Sequence, residues 1–320
     1  MNRFAVLGIA GLAWLVAAVG TAAGAWAHEV WVTNMKSGNV IVIGVSSGKV
    51  IATIDTGKGA HNVTISRDGK LAFVANVGAS TVSIIDARKK RVLANVPVGK
   101  KAHDVSLSPD GTRALASNVG EGTITLIDIA KRKALYTMPT GKKAIMSVFS
   151  PDGRRAFVVN AGEATVSVVD LETRKVIKTL PGATGSMAFI ASPDWRNAWL
   201  TAPAKNQLMQ IDLEKAEVVG AIDVPGDAHG FALSPDGKRG YVVQRELNQV
   251  AIIDMVNRKI VKTEFVGERP DMLVISPDGK KLFLTIRDND LLMVLDSADL
   301  STIGEVMTNV EPHGVAYRVR

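Results

Sequence analysis

Ser108-Pro109-Asp110-Gly111 returns as Ser150-Pro151-Asp152-Gly153, Ser192-Pro193-Asp194-Trp195, Ser234-Pro235-Asp236-Gly237 and Ser276-Pro277-Asp278-Gly279, and Ser66-Arg67-Asp68-Gly69 precedes them. Every step is 42 residues. Proline presets φ for the first corner of a turn, aspartate bonds its own backbone at the second, and glycine accepts the left-handed conformation that closes a hairpin. Two further columns keep the same step. Asp86, Asp128, Asp170, Asp212, Asp254 and Asp296 each follow an apolar run, and Asn34, Asn76, Asn118 and Asn160 end another run that later closes with Ala202, Gln244 and Ile286.

Between these markers the hydrophobic period is two, β-branched residues are enriched, and turn signals come every eight to twelve residues. Each unit therefore reads as a four-stranded antiparallel meander, in one copy His61 to Ser66, Leu71 to Asn76, Thr81 to Asp86 and Val92 to Val98. Four-stranded sheets repeated at about forty residues are the signature of a β-propeller. His313-Gly314-Val315-Ala316-Tyr317 matches a first strand and Glu29 to Asn34 a second, so the C-terminal strand should complete the N-terminal sheet. The expectation is an all-β, seven-bladed propeller filling 28–320 as a single domain, with no sheet edge left open around the ring.

Trp31-Val32-Thr33-Asn34, Phe73-Val74-Ala75-Asn76 and Phe157-Val158-Val159-Asn160, each followed or preceded by the aspartate turns, resemble the YVTN family of exported β-propeller repeat proteins. The resemblance spans Glu29 to Arg320 and is specific for fold. It implies a relation to the haem-domain propeller of dissimilatory nitrite reductase and a role as an accessory protein of periplasmic oxidation systems. The Gly-His and Trp-Asp markers of WD40 repeats are absent.

Residues 1–27 open with Arg3, continue in an apolar run from Phe4 to Val19, and end in Ala25-Trp26-Ala27. This reads as a secretory signal peptide with a small-residue cleavage site, and hence a periplasmic or secreted protein without a stable membrane anchor; an uncleaved anchor is the alternative. Cleavage would leave His28 first. The chain has no cysteine, which excludes disulfides, thiolate metal sites, iron–sulfur clusters, covalent c-type haem and a catalytic thiol. Its formal charge of +7 is spread over short turns such as Arg88-Lys89-Lys90-Arg91 and aromatics are 5%, which is not the stacked basic stripe that nucleic acid requires.

Apart from His28, every histidine occupies one repeat position, giving His61, His103, His229 and His313, while Ile145, Met187 and Asp271 fill it in the other copies. Two readings stand. Duplication copies whatever the ancestral unit held, so the histidines are strand caps; or the closed ring gathers imidazoles into a metal site for zinc, copper, nickel or iron, with Met187 and Asp271 available to join. The resemblance adds a haem reading, in which His61 and His103 lie as a pair one repeat apart over the cofactor's distal side. The loops after the second strands add Asn76, Asn118, Arg245 and Arg287 as ligand-binding candidates. Arg245 and Arg287 break the repeat, and either could clamp a carboxylate. The regular aspartate column is expected to form turns.

No Walker loop, His-Glu-x-x-His helix or dinucleotide fingerprint occurs. The expectation is a monomeric, non-enzymatic binding or accessory protein with a small-molecule ligand or a periplasmic protein partner at the channel mouth. The alternatives are a haem- or metal-dependent oxidoreductase and a lactonase-like hydrolase.

Overall fold

Alternating apolar residues give each sheet two oily faces, and neither can be left to water. The computed structural model describes residues 28–319; the export segment read at 1–27 lies outside the described residues. Seven four-stranded antiparallel sheets follow one another as blades. Blade 2, for example, runs from the axis outward as Ala60–Ile65, Leu71–Asn76, Thr81–Asp86 and Arg91–Pro97. The first and last of these strands start one residue earlier than the period suggests. Each of seven apolar clusters lies between two adjacent blades. The alternation is visible in one strand: Phe73 and Ala75 pack toward blade 3, Ala72 and Val74 toward blade 1. Burying both faces requires a neighbour on both sides, which only a ring supplies throughout.

The turns behave as their residues dictate. Gly69, Gly111, Gly153, Gly237 and Gly279 all have positive φ, and Trp195 holds the same left-handed conformation at +58° where a glycine would be unstrained. The Asp110 carboxylate accepts the Ser108 hydroxyl and the Thr112 amide. The Asp86 carboxylate likewise accepts the Arg88 and Lys89 amides at 3.0 and 2.9 Å, so the aspartate column forms turns. Trp31 and Trp199 are buried in clusters between blades. Blade 5 is irregular, its inner strand being only Phe189–Ala191. No helix among the described residues is long and apolar enough to cross a membrane.

The ring closes in blade 1. Pro312–Arg318 forms its inner strand and pairs antiparallel with Glu29–Asn34. A buried ion cluster fastens this joint. Arg318, 2% exposed, donates through Nη1 to Glu29 Oε2 (2.8 Å) and through Nε to the Gly69 carbonyl (2.7 Å) in the turn of blade 2. Lys90 Nζ reaches Glu29 Oε1 at 2.8 Å and Trp31 Nε1 reaches Oε2 at 3.1 Å. Burial alone would raise the Glu29 pKa, but the hydrogen bonds from Lys90, Arg318 and Trp31 outweigh it and hold the carboxyl below its usual range.

Arg318→Ala leaves a buried carboxylate short of a partner and should lower the unfolding free energy by about 3 kcal/mol. Urea denaturation at neutral pH checks this against Lys131→Ala on an exposed turn, which should be silent. A lowered folded pKa places the cluster's contribution above the unfolded value, to be lost as pH falls through the folded one. The gap between wild type and Arg318→Ala should therefore narrow in acid.

Candidate functional site

The inner strands carry an irregularity at the residue where the sequence places its histidines. In blade 2 Ala60 pairs with Asn76 and Val63 with Val74, so His61 and Asn62 share an opening in the ladder. Comparable shifts occur at Ala102/Asp104, Ala228/Phe231 and Pro270/Leu273. Such a bulge redirects side chains and leaves ladder groups unpaired. Neighbouring blades supply the missing partners. The Thr33 hydroxyl donates to the His61 carbonyl, and the Thr285 hydroxyl to that of His313 at 2.8 Å. His61 Nδ1 donates to the His103 carbonyl at 2.9 Å, and His103 Nδ1 to that of Ile145 at 3.0 Å. The strand-cap reading thus takes a definite form, in which imidazoles stitch consecutive blades together.

A proton on Nδ1 leaves the Nε2 lone pairs of His61 and His103 with no hydrogen-bond partner among the described residues. The His61 ring lies between those of His103 and His313, with centroids 4.0 and 3.8 Å away and the rings tilted by 44° and 39°. Three imidazoles on one tetrahedral ion, each nitrogen about 2 Å from it, would keep their centroids about 5 Å apart. His229 stands apart from these rings and meets the Asp271 carboxylate at 2.9 Å. The structure places the four imidazoles expected as one metal ring as three close, tilted rings and a fourth across a carboxylate. Among the described residues, no three His, Asp or Glu side chains are disposed to hold a metal ion.

Asp271 is the hub of the channel mouth. It is wholly buried and reaches His229, His313 (3.7 Å), Arg245 and Arg287 (3.4 Å). Burial alone would raise its pKa, yet His313, His229 and Arg245 together hold it far below the usual carboxylate range. Arg245 comes from the 3₁₀ turn Arg245–Leu247, an element the strand-and-turn reading does not anticipate. Arg287 also approaches Glu311 at 3.8 Å. The Nε atoms of both arginines are buried without a partner. The two guanidiniums named from the sequence do clamp a carboxylate, and it is the protein's own.

Asn76 and Asn118 depart from their expected place in an open loop. Both end second strands at 0% exposure, and their amides donate inside the blade, Asn76 to Thr81 and Ser83, Asn118 to Thr123 and Thr125. They fasten second strands to third strands. The structure instead brings forward Asp104, which follows the ring residue His103. This buried carboxyl receives a hydrogen bond from Asn62 Nδ2 at 3.2 Å, and burial pushes its pKa up to about 6. The signal for it was an acid directly after a ring histidine, one repeat from an asparagine.

Two family models match the chain. That of the cytochrome D1 heme domain matches residues 29–145, the stretch with His61 and His103, and that of the YNCE-like beta-propeller matches residues 152–275. A comparison with curated proteins found no match. Among solved structures, Kuenenia stuttgartiensis hydrazine synthase is 20% identical with a TM-score of 0.75, over 85% of this chain and 92% of that one. A candidate 6-phosphogluconolactonase from Bacteroides fragilis NCTC 9343 is 17% identical with a TM-score of 0.78, over 92% and 99%. The dihydro-heme d1 dehydrogenase NirN in complex with DHE is 17% identical with a TM-score of 0.66, over 90% and 74%. At these identities the structural likenesses establish the fold. The relation to a haem-domain propeller that the family resemblance implies has its counterpart in the first of these matches, over residues 29–145.

Burial, the first cause in each case, pushes His61 well below its usual value, His103 to about 3 and His313 to about 4. A base with a depressed folded pKa binds fewer protons folded than unfolded, so its stabilisation is full above the unfolded value near 6.5 and is lost as pH falls toward the folded one. Asp104 has the opposite sign: with its folded pKa raised, its stabilisation is full below the unfolded value and is lost as pH rises past about 6. Asp104→Asn, which mimics the protonated acid, should therefore gain about 3 kcal/mol above neutrality and nothing in acid. Chemical denaturation across that pH range checks it; an equal gain at every pH would remove ionisation as the cause.

Proposed function

We propose that the protein is an exported propeller that binds a small carboxylate-bearing ligand at the channel mouth without turning it over. The observation that carries this reading is the convergence of Arg245 and Arg287 over Asp271. The side chains are 23% and 13% exposed, so they sit at the edge of solvent, and each keeps an unpartnered Nε–H. Two guanidiniums on one buried carboxylate retain positive charge and directed donors, which suit a planar anion. His61, His103 and His313 are neutral near pH 7 because of burial, so they add polar contacts rather than charge. The leader-like residues 1–27 support a periplasmic location.

The second reading is a haem protein, favoured by the cytochrome D1 heme domain match across His61 and His103. Their Nε2 lone pairs suit a distal polar contact to a tetrapyrrole such as the DHE of NirN. His61 and His103 would be the residues that meet such a group, since His229 and His313 are already turned to Asp271. A lactonase-like hydrolase has in its favour only a shared fold.

Calorimetric titration of the purified protein with acetate, succinate and citrate tests the first reading. At least one should bind, and an Arg245→Gln, Arg287→Gln double variant should weaken it by about tenfold or more. Absence of binding by all three sinks it, as does binding unchanged in the double variant. A tetrapyrrole absorption spectrum in the purified protein would transfer support to the haem reading, and lactone hydrolysis sensitive to the same substitutions would transfer it to the hydrolase.

A further inference from the structure

On the channel-mouth face the charges are sorted by blade. The loops entering blades 2, 3 and 4 carry Lys58, Lys100-Lys101 and Lys142-Lys143, and Lys36 lies beside Lys58 in a recess of about 510 Å³. The corresponding loops of blades 6, 7 and 1 carry Asp227, Glu268 and Glu311, and the second-to-third-strand loops of blades 6 and 7 add Glu246 and Asp288. All six lysines are exposed, and none has an ion-pair partner among the described residues. Three acids lie among them without pairing with them: Asp55 lines the recess with Lys36 and Lys58, and Glu121 and Glu163, which lie over Gly99 and Gly141, accept from Thr123 and Thr165. On the other half of the face, by contrast, Arg269 pairs with Asp288 at 3.0 Å.

The lysines are seated. The carbonyls of Lys58, Lys100 and Lys142 accept the amides of Gly78, Gly120 and Gly162, each at 3.0 Å, which presents the three loops in one orientation a repeat apart. A Cβ on Gly78 would come within 2.7 Å of Lys58 Cγ, one on Gly120 within 3.1 Å of Lys101 Cγ, and one on Gly162 within 3.0 Å of Lys143 Cγ. The stems of Lys58, Lys101 and Lys143 thus each cross a glycine that leaves them room. Where the entering loop has no lysine, in blades 5, 6 and 7, the glycine position holds Ala204, Glu246 and Asp288. Both halves of the contact change together around the ring.

We infer that this arc of lysines is a docking surface for an acidic polypeptide segment, separate from the arginine clamp at the channel mouth. The chemistry favours distributed carboxylates over a discrete phosphate. Lysines are point charges on flexible stems, whereas phosphate is held by bidentate guanidinium or by a nest of open backbone amides. Here the glycine amides are already bonded to the lysine carbonyls, and Gly57 N donates to the Gly38 carbonyl. On the far half of the face Asp227, Glu246, Glu268, Asp288 and Glu311 outnumber Arg245, Arg269 and Arg287, which disfavours the same extended acidic partner there and so sets its orientation.

Fluorescence anisotropy with labelled poly-L-glutamate tests the inference. Wild type should bind at low salt and lose affinity as salt rises. Lys100→Glu, Lys142→Glu should weaken binding by about tenfold or more, Lys100→Gln, Lys142→Gln by less, while Lys131→Glu, Lys133→Glu on the opposite face changes it less than about twofold. An unchanged thermal midpoint shows that the variants remain folded. Equal losses at both faces would reduce the effect to net charge and overturn the inference, as would full binding in the Lys100/Lys142 variants. It is also overturned if inorganic tripolyphosphate binds and poly-L-glutamate does not.

Discussion

Burial of both faces of every sheet is the constraint from which this structure follows. A sheet with apolar side chains above and below is insoluble alone, and in a row of such sheets the two end faces would remain wet. Pairing of Pro312–Arg318 with Glu29–Asn34 turns the row into a ring and leaves no end face. The joint is where the chain's own connectivity is weakest, since its strands come from opposite ends of the sequence. It is also where the buried Glu29–Arg318–Lys90 cluster lies, anchored across to Gly69 of blade 2.

The same closure that supplies a core creates an axis crowded with backbone. Inner strands converge there, and bulges at their second and third residues leave carbonyls that the ladder does not use. Threonine hydroxyls and imidazole Nδ1–H groups from neighbouring blades take those carbonyls. At His61 and His103 the histidine is thus first a connector between blades. Burial keeps both neutral, and their Nε2 atoms are left over. A residue retained for packing therefore leaves lone pairs unused, which is how a structural repeat becomes chemically useful.

Function on this scaffold is written in departures from the repeat. Asp271 stands where other blades have histidine or an apolar residue, and it alone gathers two imidazoles and two guanidiniums. Arg245 and Arg287 stand where blades 2 to 4 have Val77, Val119 and Ala161. The lysine loops are confined to one half of the face, so a ring built from equal units carries an unequal field.

Seven blades, their strand order and the closing strand were legible from the sequence, because turn chemistry and period-two alternation are local and the 42-residue step repeats them without drift. The histidine column and the two irregular arginines were legible as positions for the same reason. What they touch was not. Whether neighbouring imidazoles converge on an ion or pack against one another depends on ring orientation at a bulge, and the Asn76 and Asn118 amides are consumed by hydroxyls five and seven residues onward in the same blade. Asp104 looked like an ordinary acid in the chain and Asp271 like a possible metal partner, since burial and the partners that set their ionisation come from other blades. Periodicity records the backbone of each unit; side-chain encounters between units depend on how the closed ring orients them.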